Sequence, residues 1–169
     1  MITLVLGGAR SGKSEVAERI AARLPVPITY VATLVPGDDP DLAERIEAHR
    51  ARRPEGWRTV EAGRELPALL RSVPGPVLVD GLGPWVAASP GMAVDAGALC
   101  AALTGRAADT VVVSEEAGLG VHPATQDGRR FRDALGTLNQ AVAAVADEVL
   151  FVVAGRILRL DGQDPRDTT

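Results

Sequence analysis

Residues 2–24, ITLVLGGARSGKSEVAERIAARL, change character twice within a short span, and that double change decides the fold. Ile2–Leu6 is apolar at every position but Thr3, the near-continuous pattern of a strand covered on both faces. Residues 7–14, GGARSGKS, then satisfy G-x-x-x-x-G-K-[ST] through Gly7, Gly12, Lys13 and Ser14. KSEVAERIAARL continues as an amphipathic helix. Strand, glycine loop and helix in that order make a phosphate cradle: the glycines let successive N–H groups curl around an anion, and the helix start adds partial positive charge. Lys13 is the only lysine in the chain; the other 17 of its 18 Lys+Arg residues are arginine. A compact ammonium on a flexible stem suits the inside of such a loop better than a broad, forked guanidinium. In this arrangement Lys13 reaches the β- and γ-phosphates and Ser14 ligates Mg²⁺.

Working outward, short β-branched runs alternate with helical patterns. Strands are expected at residues 2–6, 28–33, 76–80, 110–114 and 148–153, with a last short one at 156–160. Helices are expected near 13–24, 40–53, 64–72, 93–107 and 126–146. Residues 36–40 (PGDDP) read as a loop opening a helix. Residues 81–95 (GLGPWVAASPGMAVD) read as a loop with at most one helical turn. The alternation predicts an α/β, P-loop NTPase-like fold: a mostly parallel, doubly wound sheet with helices on both faces. Residues 1–160 are expected to form a single domain, and the polar tail 161–169 to be frayed.

Composition narrows the function classes. A net charge of −4 and a pI near 5.2 argue against a general nucleic-acid binder, and 46% hydrophobic residues against disorder. No apolar run approaches the length of a membrane span, and MITLVLGG lacks the basic start of a signal peptide, so the expectation is a soluble, cytoplasmic protein. Cys100, the single cysteine, lies in an apolar helical stretch and reads as a small buried hydrophobe.

Other residues qualify for chemistry. Asp80 ends the run VLVD as a second-strand carboxylate that could hold Mg²⁺ beside the phosphate loop; Glu115 and Glu116, after TVVVS, could do the same or polarise a hydroxyl. His49 sits on a helical pattern with Arg45, Arg52 and Arg53 at spacings of three and four residues. Clustered guanidiniums would keep an imidazole neutral and nucleophilic, but the same spacing describes a solvated basic face, and both readings stay open. His122, before a proline in GLGVHP, reads as an ordinary loop residue. Stacking candidates for a base or a flat organic ligand are confined to Tyr30, Trp57, Trp85, Phe131 and Phe151.

Taken together, LVLGGARSGKSEVAE, YVAT, RIEAHRARRPEGWRTVE, VLVDGL, SEEAGLGVHP and RRFRDALGTLNQAVAAVADEV resemble the bifunctional adenosylcobinamide kinase / adenosylcobinamide-phosphate guanylyltransferase family of cobalamin biosynthesis. The resemblance implies an enzyme that phosphorylates adenosylcobinamide with ATP or GTP. It then transfers GMP from GTP to that phosphate through a guanylyl-histidine, giving adenosylcobinamide-GDP and pyrophosphate. The matching nucleophile is His49, with Lys13 and Asp80 as its catalytic companions. Nucleotide contacts are implied at Gly7, Gly8, Ala9, Arg10, Ser11, Gly12, Lys13 and Ser14. Further contacts fall on Val31, Ala32 and Thr33, on Arg50, Arg52 and Arg53, on Glu61 and on Asp80; Ser14 and Asp80 would hold Mg²⁺. A homotrimer is implied as well. The chain departs from the family pattern in carrying Asp80 where relatives often have Glu, and Glu115 where they tend to have Asn. The competing readings are a monofunctional small-molecule kinase that tolerates loss of His49, and a nucleotide-binding switch without a small substrate.

Overall fold

The computed structural model describes residues 1–34, 54 and 56–160. The expected helix at 40–53, the loop at 36–40 and the tail at 161–169 lie outside the described residues. Seven strands form one sheet: β1 (Ile2–Gly7), β2 (Ile28–Ala32), β3 (Trp57–Glu61), β4 (Val77–Asp80), β5 (Thr110–Glu115), β6 (Glu148–Val153) and β7 (Arg156–Arg159). Their order is β3-β2-β4-β5-β1-β6-β7, parallel throughout except for the final β6–β7 hairpin. The described helices are α1 (Lys13–Ala21), α2 (Leu66–Ser72), α3 (Leu82–Ala88), α4 (Ala96–Thr104) and α5 (Gln126–Val145).

The apolar runs behave as two-sided strands should. Leu4, Leu6, Val77, Val79 and Val112 face a core shared with α2–α5, while Val5, Leu78, Val111 and Val113 face Val16, Ala17 and Ala21 of α1. Each such fully buried side chain contributes roughly 1.5–3 kcal/mol. Burial on both faces is what a parallel sheet requires, and it makes the doubly wound reading hold. The helix starts are equally local: Asp95 accepts from the Ala98 amide and Thr125 from the Gly128 amide, capping α4 and α5.

Two elements depart from the expected set: β3 (Trp57–Glu61) adds a strand at the sheet edge, and one expected loop is helical. Residues 82–88 are a helix, not a loop, followed by a 3₁₀ turn at Pro90–Met92. Pro84 occupies the first turn, where the missing N–H has no partner to lose, and Leu82, Trp85 and Val86 are buried against the sheet. Tertiary burial, invisible in the glycine and proline content, stabilises this short helix. Trp85 also gives its indole N–H to the Arg64 carbonyl at 3.1 Å, which removes it from the stacking candidates. Cys100 is half-buried between α4 and α5; burial pushes its thiol pKa up, which keeps it unreactive.

Arg106 ties the far edge of this core together. Its guanidinium donates to the carbonyls of Leu70, Val73 (2.9 Å) and Gly75 and to Thr110 Oγ1 at 3.0 Å, closing off the end of α2. Those carbonyls would otherwise be left without partners. Arg106→Met is therefore expected to cost about 2–3 kcal/mol in urea unfolding. Arg19→Met, which loses only an exposed pair with Glu15 at 3.0 Å, should cost less than about 0.5 kcal/mol. Equal losses in the two variants would contradict this assignment.

Candidate nucleotide site

Every parallel strand delivers its carboxyl end to one edge of the sheet, and the phosphate loop lies there between β1 and α1. Gly7 sits where a side chain is crowded out: a Cβ would fall 2.8 Å from the Val152 carbonyl oxygen of β6. Ser11 in turn accepts the Gly155 amide at 2.8 Å, so the tip of the β6–β7 hairpin buttresses the loop. Within the loop, Ser11 Oγ accepts the Lys13 amide at 3.3 Å. Lys13 is 8% exposed; its Nζ lies 3.4 Å from the Gly8 carbonyl oxygen and 3.8 Å from Glu115 Oε1. The second distance is a Coulombic approach rather than a hydrogen bond.

Three strand ends carry the other side of the site. Gly7 stands in register with Glu115, and Asp80 with Ala32, because β5 and β4 lie between β1 and β2. The Tyr30 hydroxyl donates to Asp80 Oδ2, and the Thr33 hydroxyl sits between the carbonyl oxygens of Asp80 (2.8 Å) and Gly81. Glu115 Oε2 accepts the Gly83 amide at 2.8 Å, one of the orphan donors in the first turn of α3. That contact leaves no room at Gly83, where a Cβ would collide with the carboxylate. Asn139 of α5 completes the support: its Oδ1 accepts from Ser114 at 2.6 Å and its amide donates to the Glu115 carbonyl at 3.0 Å.

The result is a cleft of about 580 Å³. Of the sequence candidates, Ala9, Lys13, Ser14, Ala32, Thr33 and Asp80 line it, with Tyr30 and Phe131 from the aromatic set. Gly7, Gly8, Arg10, Ser11 and Gly12 belong to the loop itself. The Val31 side chain is wholly buried in the core, and Glu61 is exposed at the end of β3, one strand beyond Ala32. His49, Arg50, Arg52 and Arg53 lie outside the described residues. Glu115 and Glu116 both line the cleft with Asp80, and Glu115 is the carboxylate that approaches the lysine. Gly83, Pro84 and Ala87 were missed because α3 read as a loop. His122 lies at the surface, 2.9 Å from Arg132. Among the described residues no group of three His, Cys, Asp or Glu side chains could hold a metal ion by itself.

The two crowded glycines differ in what opposes them. At Gly7 the obstacles are the Ser11 hydroxyl and a backbone carbonyl that cannot move aside, whereas at Gly83 only the end of a side chain stands in the way. Gly7→Ala is expected to lose about 1–3 kcal/mol in urea unfolding, and Gly83→Ala less than about 1 kcal/mol. Reversal of that order would refute the loop–hairpin contact as a constraint.

Comparison with known proteins agrees with this architecture. The model of the family described as cobinamide kinase / cobinamide phosphate guanyltransferase matches residues 3–160. The bifunctional adenosylcobalamin biosynthesis protein CobP of Pseudomonas aeruginosa is 41% identical over 172 residues, covering 96% of this chain and 99% of its own. The bifunctional adenosylcobalamin biosynthesis protein CobU of Salmonella typhimurium is 37% identical over 177 residues, covering 92% and 97%. Among solved structures, the flagellar accessory protein FlaH of Methanocaldococcus jannaschii superposes with a TM-score of 0.55 at 11% identity, over 92% of this chain and 74% of that one, a likeness of fold alone. With a P-loop NTPase-like α/β sheet, a phosphate loop at its carboxyl edge and relatives alike over nearly their whole length, this chain belongs to the cobinamide kinase / cobinamide phosphate guanyltransferase family.

Proposed function

We propose that the protein phosphorylates adenosylcobinamide with ATP or GTP and then transfers GMP from GTP to the product, giving adenosylcobinamide-GDP and pyrophosphate. The observation that carries the reading is the phosphate loop, with its single lysine, opening onto a carboxylate-lined cleft in a chain matched to this family from residue 3 to residue 160.

In the kinase step the acceptor hydroxyl oxygen forms a bond to the γ-phosphorus, and the β–γ bridging bond breaks with its electrons going to the nucleoside diphosphate. A carboxylate at the strand ends takes the hydroxyl proton, and Asp80 is the first candidate. Lys13 and the loop amides neutralise charge on the phosphates being separated. Ser14 and Asp80 are hard oxygen donors lining the same cleft, the kind of set that Mg²⁺ takes while keeping waters and phosphate oxygens as its other ligands. When bound, the ion would offset triphosphate charge.

In the guanylyl step the His49 imidazole attacks the α-phosphorus and pyrophosphate leaves. An oxygen of adenosylcobinamide phosphate then displaces the histidine, breaking the P–N bond. A covalent relay splits one displacement between two anions into two easier ones. Arg50, Arg52 and Arg53 follow His49 and would screen the triphosphate charge. The reading carries with it contacts from Val31 and Glu61, a homotrimer and a cytoplasmic setting.

GTP labelled at the α-phosphate tests it directly. Label should become attached to the protein, stable to base and labile to acid, and His49→Ala should abolish it. Lys13→Ala should lower both activities by at least about a hundredfold. Label that persists in His49→Ala would remove that residue as the nucleophile. Failure of γ-labelled ATP to phosphorylate adenosylcobinamide would remove the kinase half.

A further inference from the structure

α5 turns an apolar stripe toward the sheet, and one polar residue interrupts it. Its buried positions are Leu135, Leu138, Asn139 and Val142, at helical spacings of three and four. A leucine at 139 would continue the stripe, whereas a buried amide is destabilising unless its hydrogen bonds are made. Asn139 is 6% exposed and makes two. Its Oδ1 accepts from the Ser114 hydroxyl at 2.6 Å, and its Nδ2 donates to the Glu115 carbonyl at 3.0 Å. Only one orientation of the amide serves both partners: a main-chain carbonyl can only accept, so Nδ2 faces Glu115 and Oδ1 is left to the hydroxyl.

The second bond falls where the sheet no longer holds the chain. On one side of β5 the Glu116 amide donates to the Gly7 carbonyl at 3.0 Å, tying the strand end to the first residue of the phosphate loop. On the other side β4 ends opposite Val113, two residues short of Glu115, and Asn139 supplies the missing donor. The backbone that carries the Glu115 side chain is thus held from both sides. Its carboxylate is held in turn, because Oε2 accepts the Gly83 amide at 2.8 Å, which leaves Oε1 3.8 Å from Lys13 Nζ.

We infer that Asn139 is a positioning residue for Lys13, acting through Glu115. Asn139 fixes the main chain at the end of β5, that main chain and Gly83 fix the carboxylate, and the carboxylate holds the ammonium at the phosphate loop. An ammonium held in place beforehand needs no reorganisation when charge builds on the phosphates. The consequence for phosphoryl transfer rests on the function proposed above; the placement of the lysine does not.

Lys13 is the only lysine in the chain, so protein made with lysine isotopically labelled at its ε carbon gives one NMR resonance, which reports the surroundings of this ammonium. In the nucleotide-free protein Glu115→Gln should displace that resonance. Asn139→Leu should displace it in the same direction, and the double variant should match Glu115→Gln alone. Ser114→Ala, which only frees the amide to turn, should give a smaller displacement of the same sign and serves if Asn139→Leu does not fold. A resonance unmoved by Glu115→Gln, or unmoved by both other variants, would overturn the inference. So would an Asn139→Leu displacement that persists in full beside Glu115→Gln, since that effect bypasses the carboxylate. In the kinase step, with active sites counted by binding of a non-hydrolysable GTP analogue, kcat should fall about tenfold in Asn139→Leu while nucleotide KM stays within about twofold. Added to Glu115→Gln, the same substitution should cost less than about twofold, and equal losses in the two backgrounds would overturn the inference. Wild-type protein and variants that give the expected resonances without ever phosphorylating adenosylcobinamide would leave the positioning role standing and refute the kinase reading instead.

Discussion

The Gly155 amide donates to the Ser11 carbonyl at 2.8 Å, and Gly7 passes so close to the Val152 carbonyl that no side chain fits between them. These contacts clamp the phosphate loop against the β6–β7 hairpin. A loop that must present several amides to one anion cannot collapse onto its own carbonyls, so its shape has to be imposed from outside. β6 and the hairpin tip impose it on one side and α1 on the other. Lys13 is consequently held near the loop interior instead of sweeping through solvent.

Strand order converts that clamp into a site. If β2 had paired directly with β1, the ends of β4 and β5 would lie elsewhere. Inserting β5 and β4 between them brings Asp80 and Glu115 to the lysine side of the loop. Each acid is then fixed by a different neighbour, Tyr30 for Asp80 and the first turn of α3 for Glu115.

Much of the fold was legible because its signals are local. Short runs such as VLV (77–79) and VVV (111–113) read as two-sided strands, and Asp95 and Thr125 start their helices with a side chain that bonds three residues ahead. The α3 segment was not legible: its glycines and proline are the vocabulary of a turn, and only burial of Leu82, Trp85 and Val86 makes it helical. The same error hid Pro84 and Ala87 from the list of cleft residues. YVAT belongs to the expected strand end, where alternation turns the Val31 side chain into the core.

From residue order alone came the phosphate loop, the reason for one lysine among the arginines, the parallel α/β architecture and the resemblance to a family. All of these are encoded in spacings of a few residues, where the chain itself sets the distance. Tertiary structure decided which carboxylate approaches Lys13, which aromatics line the cleft, and that residues of α3 and α5 line it too. Those facts depend on pairings between residues dozens of positions apart, such as Gly83 with Glu115 and Tyr30 with Asp80. No local periodicity records them, because only the order of strands in the sheet brings the partners together.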